Sequence, residues 1–149
     1  MAMVASGPTF VEGLESIRAM HQRGERAQAT DAFLAGVLGL DYRTQLERFL
    51  PPGALELAVA DSGTVFDVEV EALQRWTFTP EDAARIRSPA LSVIGADSEP
   101  IFHEVHSLLK QRIAGVEEWT VPDASHALQF VNPGAVAEGL AAFFGAHRL

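Results

Sequence analysis

Ser88-Pro89-Ala90-Leu91-Ser92-Val93-Ile94-Gly95-Ala96-Asp97-Ser98 is the stretch on which the fold turns. Pro89 disfavours helix, Ala90 to Ile94 form a short apolar run suited to a strand buried on both faces, and Gly95 to Ser98 supply a turn. Pro100 then starts a helix whose apolar stripe is Ile101, Val105, Leu108, Leu109 and Ile113, and Gly115 ends it. Val116 to Val121 is a second strand and Pro122 to Gln129 a loop. Asn132-Pro133 opens a last helix with the stripe Val136, Leu140, Phe143 and Phe144, and Val131 and Val136 stand where a hydrophobic staple would. Strand, helix, strand, helix predicts parallel pairing with a right-handed crossover, so the expected fold class is α/β.

Upstream, from Thr9 to about Ile86, the periodicity is helical. Phe10, Leu14 and Ile17 mark one face before His21-Gln22-Arg23-Gly24 ends the helix, and a second segment runs from Glu25 through Phe33 and Val37 to Gly39. Asp41 is placed to cap a third, which carries Tyr42, Leu46, Phe49 and Leu50 until Pro51-Pro52 stop it. Val65, Val68, Ala72, Leu73 and Trp76 fall on one stripe of a helix that Asp61 or Ser62 would cap. Thr79-Pro80-Glu81-Asp82 opens one more, with proline at the first helical position and acids near the positive end of the dipole. The only boundary visible lies at Ile86 to Pro89, dividing a helical region, 1–86, from a second region, 87–149.

Two parallel strands alone leave long unpaired edges. Further strands must come from a partner or from a longer parent, or else the helical half must cover the edge.

The chain has 149 residues, 48% of them hydrophobic, which suffices for a real core. Eleven basic residues against twenty acidic ones leave a net charge of -9, with Lys110 the single lysine. Nucleic acid and anionic membrane are disfavoured as partners. With no cysteine, disulfides, thiolate metal sites and a cysteine nucleophile are excluded. Met1 to Pro8 reads without a signal peptide or membrane span, so the cytoplasm is the default location. His103 and His106, with Glu104 between them, lack the spacing of a metalloprotease helix, and the expectation is a solvated helix face with no metal. Phe33, Trp76, Phe78 and Phe102 fit plain core better than a pocket lining.

Val121-Pro122-Asp123-Ala124-Ser125-His126, followed by Ala127 to Pro133 and a helix ending in Phe143-Phe144, resembles the end of the α/β-hydrolase fold. Ile86 to Ser98 is similar to that superfamily's penultimate strand and turn, and the helices before it resemble the cap that many members insert over the active site. The resemblance implies a partial α/β-hydrolase fold, a helical cap followed by a terminal β-α-β-α unit. It also implies a triad histidine at His126 and hydrolysis of a small ester or similar acyl substrate without a cofactor. Many members place the triad acid three residues after the turn glycine, which here is Ser98; Asp97, one residue earlier, is the candidate acid if the turn is a residue tighter, with Glu99 and Asp123 behind it. Some members carry their acid after an earlier strand that this chain lacks, and the alternative for Asp97 is a turn aspartate bonding its own backbone.

The family's nucleophile elbow, glycine-x-serine-x-glycine, is absent, and so is a histidine-glycine oxyanion loop. By the family's order the chain begins after the sixth core strand. The expectation is a truncated hydrolase with no turnover of its own. The competing readings are a non-catalytic module binding an apolar ligand, and one subunit of a split enzyme. A homodimer or a complementing chain through the exposed sheet edge belongs to the same expectation.

Overall fold

Leu14 and Ala29 set the geometry of the first half. Helix α1 (Gly7–Gln22) and helix α2 (Arg26–Leu38) fold back on each other through Arg23 to Glu25, where Gly24 takes φ +85° and donates its N–H to the His21 carbonyl at 2.9 Å. Ala29 is fully buried, so its bare methyl lets the helices approach closely. Leu14, Ala29, Phe66 and Val70 form the core, with Phe10, Ile17, Met20 and Phe33 packed around it. The computed structural model describes residues 3–147; Met1 and Ala2, where the leader-free reading begins, and Arg148 and Leu149 lie outside the described residues.

Helix α3 (Tyr42–Glu47) follows Asp41, whose side chain makes no capping bond, and α4 (Ala54–Ala60) follows Gly53 at φ +87°. Thr64–Glu69 is a π-helical segment that runs directly into α5 (Val70–Arg75). Its wider turn explains why the expected stripe is only half right. An α-helical register places Val65, Val68, Ala72, Leu73 and Trp76 on one face, but the extra residue per turn carries Phe66 and Val70 inward and leaves Val68 62% exposed. Trp76 follows the helix in extended conformation and is also exposed. Neither Asp61 nor Ser62 caps this helix: Asp61 accepts the Thr64 hydroxyl and Ser62 donates to the Val59 carbonyl.

The chain divides into units Met1–Thr77 and Phe78–Leu149. The expected boundary at 86 and 87 falls later, because α6 (Pro80–Ala84) packs with the second unit's α7 (Pro100–Arg112). Thr79 caps α6 in a reciprocal box: its hydroxyl accepts the Asp82 N–H at 3.2 Å while the Asp82 carboxylate accepts the Thr79 N–H at 2.9 Å.

Strand β1 (Leu91–Gly95) and strand β2 (Glu117–Val121) pair in parallel, Leu91 opposite Glu117 and Gly95 opposite Val121. Ser92 and Glu118 lie on the face touched by His106 of α7. On the other face Trp119 packs against α9 (Pro133–Ala146), which a turn of helix, α8 (Leu128–Val131), precedes. Gly139 gives the ring its room there, since an added Cβ would lie 2.8 Å from Trp119 Cε3 and nearer still to Cζ3 and Cη2, so the indole would have to shift.

The expectation of an α/β fold, a partial hydrolase core in which a helical cap leads into a terminal β-α-β-α unit, is thereby corrected: the described residues are 63% helix and 7% strand, and the chain is mainly α. Each apolar extended run yields one five-residue strand, and the described residues hold no third. The sheet is a two-stranded ribbon between helices, too small to organise the chain as a layer. No described helix is long and apolar enough to cross a membrane.

Candidate functional site

The flush parallel register brings the turn after β1 and the loop after β2 to the same, carboxyl, end of the strands. Ala96 donates its N–H to the Val121 carbonyl and Asp97 donates to the Ala124 carbonyl, each at 2.9 Å. Asp123, at φ +51°, turns the chain back after Pro122, a left-handed position that aspartate tolerates better than most residues. The returning loop then crosses directly over Gly95. A Cβ there would lie 2.7 Å from the Ala124 carbonyl carbon and closer to the oxygens of Ala124 and Ser125, so only glycine admits the crossing.

This crossing delivers His126. Its ring stacks on Phe102, from the first turn of α7, with centroids 3.7 Å apart and planes 10° from parallel. The residue stays exposed while one ring face is covered, and burial lowers its pKa below the ordinary histidine value. At neutral pH the imidazole is therefore uncharged and retains a lone pair able to accept a proton. Ser125, the preceding residue, and Ser98, on the turn after β1, each keep a buried Oγ without a hydrogen-bond partner, and Ser98 as a whole is 9% exposed.

Asp97, the candidate acid, stands on the neighbouring turn and is exposed. Its backbone is tied to the loop that carries His126, yet no hydrogen bond joins its carboxylate to the imidazole, nor does one come from Glu99 or Asp123. The two named residues thus share one end of the ribbon without forming an acid–histidine pair. The described residues hold no group of metal-ligating side chains.

Two serine–histidine contacts escaped sequence reasoning. In the first unit His21 Nε2 lies 3.1 Å from Ser62 Oγ, and its Nδ1 lies 3.9 Å from Asp67. The outline is that of a triad, but the proton order is reversed. The Ser62 hydroxyl is spent on the Val59 carbonyl at 2.8 Å, so His21 donates to Ser62 rather than withdrawing its proton. Ser62 is also 2% exposed and Asp67 is beyond hydrogen-bond range. This contact fastens α1 to the segment before the π-turn.

In the second unit Ser92 Oγ lies 2.7 Å from His106 Nδ1, while His106 Nε2 faces Glu118 Oε2 at 3.4 Å and Lys110 holds the other Glu118 oxygen at 2.8 Å. With its Nε2 proton directed at the carboxylate, His106 accepts the Ser92 hydroxyl at Nδ1. The Lys110 ammonium, and after it His106, keep the Glu118 carboxyl below its usual pKa. His106 was expected on a solvated helix face. Its side chain is instead 14% exposed and pins α7 across both strands. The signal was a lone hydroxyl, Ser92, inside an otherwise apolar strand run.

Set against protein-family models, curated proteins and solved structures, the chain matches none of them.

Proposed function

We propose that this chain is the histidine-bearing portion of an acyl hydrolase whose nucleophile is supplied from outside these 149 residues. The resemblance of Ile86 to Phe144 to the C-terminal portion of the α/β-hydrolase superfamily is part of this proposal. One observation carries it: an exposed imidazole with a lowered pKa is held at the carboxyl end of parallel strands by a crossing that only glycine permits. That is the position and protonation state of a general base.

In the reaction a serine oxygen attacks the carbonyl carbon of a small ester and its proton passes to a His126 ring nitrogen. The same proton then goes to the leaving alcohol. Water next attacks the acyl-serine, giving a proton to His126, which returns it to the serine oxygen as the acid departs. Asp97, on the neighbouring turn, is the acid proposed to orient the ring, although no hydrogen bond joins the two in this structure.

A complementing chain has a place to attach. The bonds from Glu117 N–H to the Ala90 carbonyl and from Ala96 N–H to the Val121 carbonyl direct the even-numbered residues of β1 at β2. The backbone groups of Leu91 and Val93 point to the opposite, free edge of β1. That edge carries no charged side chain, whereas β2 carries Glu117 and Glu118.

The test is hydrolysis of short p-nitrophenyl esters by the purified chain and by His126→Ala, with an NMR titration of His126 and the oligomeric state recorded. The expected result is no saturable turnover and a histidine pKa below the ordinary value. Saturable turnover lost in the variant would place a nucleophile within this chain, and a His126 pKa at or above the ordinary value would remove the general base.

A further inference from the structure

The free edge of β1 has a polarity that the ribbon itself does not use. Ser92 and Ile94 direct their backbone groups at β2, whereas Leu91 and Val93 direct theirs outward, where neither makes a further hydrogen bond among the described residues. Gly95 also faces outward, but it is buried and its carbonyl already takes the Ser98 N–H at 3.1 Å. The stretch from Ser88 to Ala96 carries no charge.

Its two ends are oppositely charged. Arg85 and Arg87 precede the strand and Asp97 and Glu99 follow it, all exposed, and no side chain of this group has a hydrogen bond or ion pair among the described residues. Asp82, whose carboxyl feels Arg85, is itself held by Thr79. A neutral edge with a cationic start and an anionic finish is complementary to its own reverse.

We propose that this edge pairs with the same edge of a second copy of the chain, antiparallel about a two-fold axis, so that two ribbons become one sheet of four strands. Leu91 of each copy then exchanges both N–H···O bonds with Val93 of the other. The half-buried side chains of Leu91 and Val93 meet across the axis on one face. Arg85 and Arg87 of each copy come beside Asp97 and Glu99 of the other, and symmetry repeats the match at both ends. Parallel pairing of the same edges would bring arginine to arginine and acid to acid. In a chain of net charge -9, contact between copies is opposed in general, and complementary ends on a neutral edge relieve that repulsion here. One short strand edge buries little area, so the dimer exchanges with monomer at micromolar concentration. The inference stands without the hydrolase reading; a complementing chain at this edge would have to displace the second copy.

The experiment is sedimentation equilibrium of the full chain from micromolar to millimolar concentration, with amide hydrogen exchange read residue by residue by NMR. A dimer and nothing larger is expected. The Leu91 and Val93 amides should gain protection as concentration rises, while those of Ser92 and Ile94 are protected throughout. Arg87→Glu and Glu99→Arg each set like charges at both ends of the pair, and each should weaken the dimer about tenfold at low salt; thermal unfolding of each variant reports on folding. Mixed in equal amounts, the two variants bring opposite charges together at both ends again and should associate about as tightly as the parent. A monomer at millimolar concentration, assemblies larger than a dimer, a dimer whose Leu91 and Val93 amides stay unprotected, or variants that pair no better with each other than with themselves would each overturn the proposal. His126→Ala should dimerise as the parent does, which separates this interface from the fate of the hydrolase reading.

Discussion

Replacing Gly95 by alanine tests the crossing that positions His126. Gly95 is not among the glycines at positive φ, so alanine fits its backbone and the effect is steric alone. The new Cβ would stand 2.7 Å from the Ala124 carbonyl carbon, whereas ordinary contact begins at 3.4 Å. The loop must therefore retreat by roughly 0.7 Å or more, because backbone cannot swing aside as a side chain can. Overpacking of this kind costs about 1–3 kcal/mol. Losing the bond from Asp97 N–H to the Ala124 carbonyl adds about 0.5–1.5 kcal/mol, for a total of about 1.5–4.5 kcal/mol. Urea unfolding followed by Trp119 fluorescence in a Trp76→Phe background reads the second unit alone, since Trp76 lies in the first. Gly134→Ala is the control, with nothing within 4 Å of its added Cβ, and should stay within about 0.5 kcal/mol of the parent. If Gly95→Ala proves as harmless as Gly134→Ala, the loop does not lie where the reasoning needs it.

Gly139→Ala should cost less, about 1 kcal/mol by the same assay, because the Trp119 ring it meets is a movable side chain and alanine favours the helix. His126, with its pKa held below 6.5 by burial, is neutral in both states above that value; below it the unfolded chain takes up the proton first. Stability should then fall as pH drops from about 6.5 toward the lowered pKa and level off above it, and Phe102→Ala should raise the His126 pKa in an NMR titration. Ser92→Ala leaves His106 Nδ1 without its donor and should destabilise by about 1–2 kcal/mol in urea, with a double-mutant cycle against His106→Ala showing strong coupling. Thr79→Ala removes the capping box of α6 at about 1 kcal/mol, measurable by thermal unfolding.

Sequence pattern reached the second unit's elements because their punctuation is local. Pro100 and Asn132-Pro133 fix where α7 and α9 begin, and a β-branched run bounded by Pro89 and Gly95 reads as a strand without knowledge of its partner. The fold class was not legible in the same way, since it depends on how many strands assemble, and two short runs produced only a ribbon. The position of His126 at a strand end was readable from spacing. Its stacking on Phe102 and the absence of a bond to Asp97 were not, because both depend on how the loop crosses Gly95. The contacts of His21 and His106 were hidden for a related reason. Ser62 stands 41 positions from His21 and Ser92 stands 14 from His106, so each pair is created by packing rather than by local periodicity.

The π-turn at Thr64–Glu69 also bears on how this chain tolerates changes of length. A wide turn is what a helix makes when one residue too many is inserted and the flanking packing refuses to rotate. Deleting a single residue there, Asp67 for instance, would let the segment relax to α geometry. Phe66 would keep its place, and the downstream helix from Val70 would follow a regular path. Deleting one residue from α5 instead would turn everything after it by about 100° and present Leu73 to water. The two deletions remove the same amount of chain, yet the first is absorbed and the second is not. The wide turn is thus the point at which this helix can be shortened while its inward face is preserved.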